Sequence, residues 1–265
     1  MGYIMNEVIL SILIIGGIGL LIGLFLGLAS IKFQVKVDEK EEAVLNALPG
    51  INCGSCGFPG CAGLAAAIAK NEAPVNGCPV GGADVAEKVA QIMGVVSENT
   101  EKMVAFVRCQ GSRDKITMDY EYNGLGDCRM LSYVPNGGPK SCNYGCLGYG
   151  SCVTVCQFDA IHVENGLSKV DKDKCVACKK CIDVCPKDLI TLVPYKAKHI
   201  VTCSSNDKGP VTMKNCTIGC IACQICVKNC PVNAIHMEGF KAVIDQSICI
   251  QCGICKEKCP KKCII

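Results

Sequence analysis

The stretch C-V-A-C-K-K-C-I-D-V-C-P, Cys175 to Pro186, reads C-x2-C-x2-C-x3-C-P, and C-I-Q-C-G-I-C-K-E-K-C-P, Cys249 to Pro260, repeats that spacing 74 positions later. Each has a partner run upstream. In the second copy it is Cys220, Cys223, Cys226 and Cys230-Pro231; in the first it is Cys146, Cys152 and Cys156. Three thiolates at this spacing hold one [4Fe–4S] cube, and the fourth cysteine of each run reaches across to the other cube. Each pair of runs is therefore expected to fold over itself around two cubes: Cys175, Cys178, Cys181 and Cys185 with the first partner run, and Cys249, Cys252, Cys255 and Cys259 with the second.

The pattern resembles that of bacterial ferredoxins, written twice. G-C-L-G-Y-G-S-C-V-T-V-C (from Gly145) lies over G-C-I-A-C-Q-I-C-V-K-N-C (from Gly219), an internal repeat. Tyr149 stands where Cys223 stands, so the first copy lacks a ligand. Cys142 is the nearest replacement, with Cys128 further upstream as the alternative. Cys109, Cys128, Cys203 and Cys216 then remain, and V-R-C-Q-G-S resembles V-T-C-S-S-N around Cys109 and Cys203. These four suggest a sixth cube bridging the halves, against a reading as buried inert thiols. Cys263 reads as a free thiol.

Nearer the start, N-C-G-S-C-G-F-P-G-C carries Cys53, Cys56 and Cys61, and Cys78-Pro79 follows a helix-like stretch from Ala62 to Lys70. The glycines let the backbone wrap a compact centre. C-x2-C-x4-C-x16-C fits zinc-finger spacings poorly, which favours a fifth [4Fe–4S] cube over zinc. Short helices are expected before and after it, over Asp38–Leu48 and Ala83–Met93.

The 25 cysteines could indicate a secreted disulfide scaffold. Their metal-ligand spacings argue instead for free thiolates in a reducing compartment. The formal charge of +3 counts cysteine as neutral; at about −2 per oxidised cube with its thiolates, five or six cubes take the loaded protein to about −7 to −9. Val8 to Ile31 has no ionisable residue and as a helix would reach roughly 36 Å, enough to span a bilayer. Glu7 is the only charged side chain before it, so a retained anchor is favoured over a signal peptide. Lys32, Lys36 and Lys40 place the following domains in the cytoplasm. Gly19, Gly23 and Gly27 share one helical face, either for close helix packing or as ordinary membrane-helix composition.

His162 and His236 are equivalent strand residues leading to hairpin turns at Asn165-Gly166 and Glu238-Gly239. Lys169, Lys172, Lys174, Lys179, Lys180 and Lys187 ring the first ferredoxin half, and Lys256, Lys258, Lys261 and Lys262 the second. Such a rim can steer an acidic redox partner to a net-negative protein. No Ser/His/Asp constellation, phosphate-binding glycine motif or G-x-G-x-x-G is present. The expected fold is α+β: a transmembrane anchor (1–36), a helical four-cysteine domain (37–100), a cysteine-containing connector (101–135) and two ferredoxin-like domains (136–195 and 196–265).

An anchor, then C-x2-C-x4-C-x16-C, then ferredoxin repeats resembles the B subunit of the Rnf complex, the membrane-bound ferredoxin:NAD+ oxidoreductase of bacteria. The resemblance implies an electron-transfer subunit in the plasma membrane. It would take electrons from reduced ferredoxin and relay them through five or six [4Fe–4S] clusters to membrane partner subunits. Those partners would carry the flavin and NAD chemistry and export Na+ or H+, so no catalytic acid or base, NAD site or nucleic-acid contact is expected here. The second ferredoxin copy departs from simpler members and leaves the electron route open. The rival readings are an electron-entry subunit of another membrane oxidoreductase, an iron–sulfur carrier for cluster assembly and a zinc-binding scaffold.

Overall fold

The computed structural model describes residues 2–32, 38–96 and 101–265, and within the first helix it describes side chains only at 13–29 and 32. Helix α1 (Gly2–Lys32) is continuous over 31 residues. Its described apolar side chains face outward, with Leu21 68 % and Phe25 71 % exposed, and nothing approaches a Cβ built at Gly19, Gly23 or Gly27 within 4 Å. Among the described residues no helix is long and apolar enough to cross a membrane. Residues 13–29 alone reach about 25 Å, short of a hydrocarbon core of ~30 Å. The remainder of the expected span and Lys36 lie outside the described side chains, and residues 97–100, at the expected end of the four-cysteine domain, lie outside the described chain.

Three helices follow. In α2 (Glu39–Ala47), Asp38 caps the start by accepting from Lys40 N at 2.9 Å. An acidic first turn, Glu39, Glu41 and Glu42, complements the helix dipole. Helix α3 (Cys61–Ala69) is nearly all Ala and apolar, so α2 approaches it closely, and α4 (Gly82–Met93) packs on α2. Val44, Leu48, Leu64, Ala65, Ile68 and Val89 form the module's core, with Cys56, Cys61 and Cys78 packed against it.

The rest of the chain is one design used twice. In the first half β1 (Met103–Val107) pairs antiparallel with the later strand β4 (Ile190–Pro194), Val107 opposite Ile190. Between them come α5 (Ser151–Thr154), the hairpin β2 (Ile161–Glu164) and β3 (Leu167–Val170), and α6 (Lys180–Val184). So β1, in the stretch expected as a connector, pairs into the first ferredoxin half. The second half contains α7 (Gly209–Asn215), α8 (Ile225–Lys228), the hairpin β5 (Ile235–Glu238) and β6 (Lys241–Ile244), and α9 (Ile254–Lys258). Here a single bridge, Val201 to Ile264, stands where β1 meets β4.

Asn165 and Gly166 take φ of 48° and 69°, the left-handed pair of a two-residue hairpin turn. In the second hairpin Glu238 still pairs with Lys241, so the turn falls on Gly239-Phe240, one residue beyond the expected place. A seam joins the halves. Residues 115–118 lie between the two chain segments that lead into the cysteine runs. Ile116 bridges Cys216, Met118 bridges Lys140, Thr117 N donates to Asn215 O at 2.9 Å and Ser141 N to Thr117 O at 3.0 Å.

Candidate iron–sulfur centres

Each cysteine run has the same backbone device. Ala177 and Lys179 flank Cys178, Ala222 and Gln224 flank Cys223, and Gln251 and Gly253 flank Cys252, all at φ between 55° and 81°. Left-handed residues in this alternation turn successive N–H groups toward one centre and form a concavity that binds anions such as iron–sulfur cubes. Holding Ala, Lys and Gln there costs of order 1 kcal/mol each. The repetition of that strain in three of the four runs points to a site and not to a loose loop. Gly148 and Gly150 keep the device around Tyr149, with φ of 79° and 80°. Gly148 is doubly required, because a Cβ there would meet Gly166 O at 2.1 Å.

Cys220, Cys223, Cys226 and Cys259 line one hollow together with Cys263; Cys230, Cys249, Cys252 and Cys255 line a second, and Cys128, Cys146, Cys152 and Cys185 a third. The first two hollows bring together three cysteines of one run and the fourth of its partner, and the third brings together Cys146 and Cys152 of one run, Cys185 of its partner and Cys128 from upstream. The fourth set is Cys156, Cys175, Cys178 and Cys181. Cys175 and Cys181 are buried in the first half's core with Cys156 against them, and Cys178 feels the charge of Cys156 and Cys175. Ala105 N donates to Cys175 Sγ at 3.3 Å and Ala160 N to Cys156 Sγ at 3.4 Å.

The structure places the two candidates for the position at Tyr149 apart. Cys128, the upstream alternative and also a candidate for the bridging site, lines the hollow of Cys146, Cys152 and Cys185. Cys142, expected in that role, lines a different hollow with Cys109, Cys203 and Cys216. The cause is local. Cys128 N donates to Ser151 Oγ at 2.7 Å, and Ser151 Oγ donates to Asp127 Oδ1 at 2.7 Å, which ties Cys128 to the start of α5. The Arg129 guanidinium, the Ser151 hydroxyl and the Arg129 N–H hold the Asp127 carboxyl well below the usual carboxylate range.

In the N-terminal module Asn52 Oδ1 accepts from Cys61 N at 2.8 Å, and Gly81 N donates to Cys78 Sγ at 3.3 Å. Burial raises the Cys78 thiol, and Cys61 and Cys56 beside it add to that rise. The module docks on the first ferredoxin half, where Ser55 Oγ donates to Cys178 O at 2.7 Å. Burial would raise the Cys53 thiol, but hydrogen bonds from Ser55 and the charge of Lys180 bring it below its ordinary value.

Two residues that the sequence did not flag stand out. Lys140 is 2 % exposed and donates to Gly111 O and Gly166 O, each at 2.8 Å. Burial lowers its pKa, while the sulfurs of Cys146, Cys109 and Cys142 around it act the other way. Cys263, expected to be a bystander, is buried with Sγ 3.6 Å from Cys259 Sγ. Contacts with Cys220 and Cys259, together with burial, raise the Cys263 thiol, and the same contacts lower Cys220 and Cys259 to about 6 and about 5. Among the described residues, no group of three or more His, Cys, Asp or Glu is gathered tightly enough for a single metal ion. His162 is exposed on β2 and contacts Asp159 O at 3.1 Å; His236 on β5 faces Glu238.

A "putative Fe-S cluster" model matches residues 48–80, and "4Fe-4S dicluster domain" models match 143–192 and 219–263. The chain is thus an iron–sulfur protein with one N-terminal Fe-S domain and two [4Fe–4S] dicluster domains. It is 46 % identical over 214 residues to the B subunit of the Na(+)-translocating ferredoxin:NAD(+) oxidoreductase complex of Acetobacterium woodii, a match spanning 80 % of this chain and 64 % of that protein. It is 41 % identical over 247 residues to the B subunit of the ion-translocating oxidoreductase complex of Methanosarcina acetivorans, spanning 92 % and 93 %. The B subunit of the proton-translocating ferredoxin:NAD(+) oxidoreductase complex of Clostridium ljungdahlii is 41 % identical, spanning 92 % and 87 %. The chain belongs to the B-subunit family of ion-translocating (Rnf) oxidoreductase complexes.

Proposed function

We propose that this protein is the iron–sulfur electron-transfer subunit of a membrane-bound, ion-translocating ferredoxin:NAD+ oxidoreductase, taking electrons from reduced ferredoxin and delivering them to membrane partner subunits. The observation that carries this reading is the set of crossed four-cysteine hollows on strained, N–H-lined loops, in a chain related over most of its length to proteins so named.

The residues fit [4Fe–4S] clusters. Cys53, Cys56, Cys61 and Cys78 would hold one; Cys128, Cys146, Cys152 and Cys185 a second; Cys156, Cys175, Cys178 and Cys181 a third. Cys220, Cys223, Cys226 and Cys259 would hold the fourth, and Cys230, Cys249, Cys252 and Cys255 the fifth. When bound, these clusters supply one-electron chemistry. The chain's own part is to hold the ligand sets in contact, exclude water and set potentials by burial and N–H···S bonds. The N-terminal set meets the first half through Ser55 and Cys178. Cys223 and Cys252 of the second half are exposed.

Among the described residues both halves keep rim lysines free of ion pairs for an acidic donor, with Lys172, Lys179, Lys180 and Lys187 in the first half. In the first half Lys169 pairs with Glu164 and Lys174 with Asp159. Among the described residues none of Lys256, Lys258, Lys261 and Lys262 forms an ion pair, so their charge is free to steer. Helix α1, with its exposed apolar side chains, is read as the anchor of a domain series divided near 36, 100, 135 and 195. Removing residues 2–36 should release the protein from membranes; a truncated chain that stays with the membrane contradicts the anchor.

Membranes carrying Cys175→Ala or Cys249→Ala test the relay. Each substitution removes a ligand and should abolish ferredoxin-dependent NAD+ reduction. Unchanged activity in either would remove that half from the path.

A further inference from the structure

Cys109, Cys142, Cys203 and Cys216 lie outside all three matched domain models, yet they line one hollow. Their placement follows the internal repeat. Cys109 stands two residues beyond Val107, which pairs with Ile190, and Cys203 two residues beyond Val201, which pairs with Ile264. Cys142 and Cys216 each precede the first cysteine of a run, Cys146 and Cys220, by four residues. The two halves therefore offer equivalent pairs of cysteines to a shared centre.

Hydrogen bonding obeys the same symmetry. Cys109 Sγ accepts from Gly111 N at 3.3 Å and from Cys146 N at 3.4 Å. Cys203 accepts from the equivalent backbone groups, Ser205 N and Cys220 N. Burial raises both thiols, yet two N–H donors aimed at each sulfur are the arrangement that serves a cluster-bound cysteine. The hollow has a volume of about 20 Å³, as do those at the Cys146 and Cys220 sets. A zinc ion would instead draw four sulfurs to about 2.3 Å from itself. Lys140, buried and bonded to carbonyls, stands beside Cys146 of the neighbouring set as well as Cys109 and Cys142, and needs a nearby anion.

We propose that Cys109, Cys142, Cys203 and Cys216 hold a further [4Fe–4S] cluster at the seam, with two ligands from each ferredoxin half. It rests on the iron–sulfur reading above and extends it, because its ligands accept N–H groups from Cys146 and Cys220, members of the neighbouring sets on either side. The site is a one-electron stepping place that joins two ferredoxin halves otherwise sharing no cysteine set.

The test is iron, acid-labile sulfide, zinc and EPR spin count per full-length chain purified without oxygen, for the wild type, Cys109→Ser/Cys203→Ser and Cys216→Ser. About 24 iron and 24 sulfide in the wild type, with about 20 of each and the loss of one reduced-cluster spin in the variants, is the expected result. A wild-type value of about 20 that the substitutions leave unchanged overturns the proposal, as does one zinc per chain lost with them. If the variants fail to fold, the wild-type total decides alone. Iron near zero would instead overturn the iron–sulfur reading itself.

Discussion

Replacing Lys140 by Met removes a buried positive charge beside two cysteine sets while keeping the side chain's length. Its ammonium touches Gly111 O and Gly166 O at 2.8 Å, and Gly111 lies against Cys109 Sγ and Cys216 Sγ. At a charge separation on the order of 8 Å and an effective dielectric of about 20, the attraction to one added electron is about 2 kcal/mol. For a one-electron couple that corresponds to roughly 90 mV. The variant should therefore titrate one or two clusters at a potential more negative by several tens of millivolts, read by EPR in a redox titration of the full chain. Met also leaves two buried carbonyls without a donor, at about 1–3 kcal/mol each, so Lys140→Gln, which keeps a donor without charge, is the companion. A negative shift in both variants supports an electrostatic role. No shift, or a positive one, refutes the placement of this charge beside the clusters.

Ser151→Ala breaks the link from Asp127 to the Cys128 N–H and should cost about 1–2 kcal/mol; chelator-driven iron loss should speed up for one cluster only, and uniform lability would contradict the account. Ser55→Ala removes the hydrogen bond to Cys178 O, worth about 0.5–1.5 kcal/mol. Hydrogen exchange should then rise at residues 53–61 and 177–180, and unchanged protection would mean that docking rests elsewhere. The Ser247 hydroxyl and N–H lower the Asp245 pKa. With its folded pKa below an unfolded value near 3.9, Asp245 contributes stability that is complete above about pH 5 and is lost as pH falls through the folded value. Asp245→Ala should flatten that part of the acid limb in a denaturant titration, leaving the pH 6–9 region unchanged in shape.

The ferredoxin sets were legible because the ligands are fixed by local spacing. Cys175, Cys178 and Cys181 can reach one centre without help from the rest of the chain, and the repeat tells which run each fourth cysteine serves. The choice between Cys128 and Cys142 was left open by the sequence. It depends on Ser151 capturing Cys128 N from across the α5 entry and on the 115–118 seam bringing Cys142 beside Cys216, both long-range contacts. Lys140 was equally hidden. In sequence it is one lysine among many, and its repeat counterpart Lys214 is exposed; only the fold buries one and not the other. The hairpin at Asn165-Gly166 was readable from turn chemistry, whereas the second turns on Gly239-Phe240, the positions equivalent to Asn165-Gly166 in the repeat, and not on the Glu238-Gly239 pair.

The most direct test of the electron-relay claim is rapid mixing of the full-length protein with chemically reduced ferredoxin under anaerobic conditions, followed by freeze-quench EPR. The account predicts reduced [4Fe–4S] signals in this chain as the ferredoxin signal disappears, weakened by salt and by removing charge at Lys256, Lys258 and Lys262. Clusters that dithionite reduces but ferredoxin leaves oxidised would contradict it.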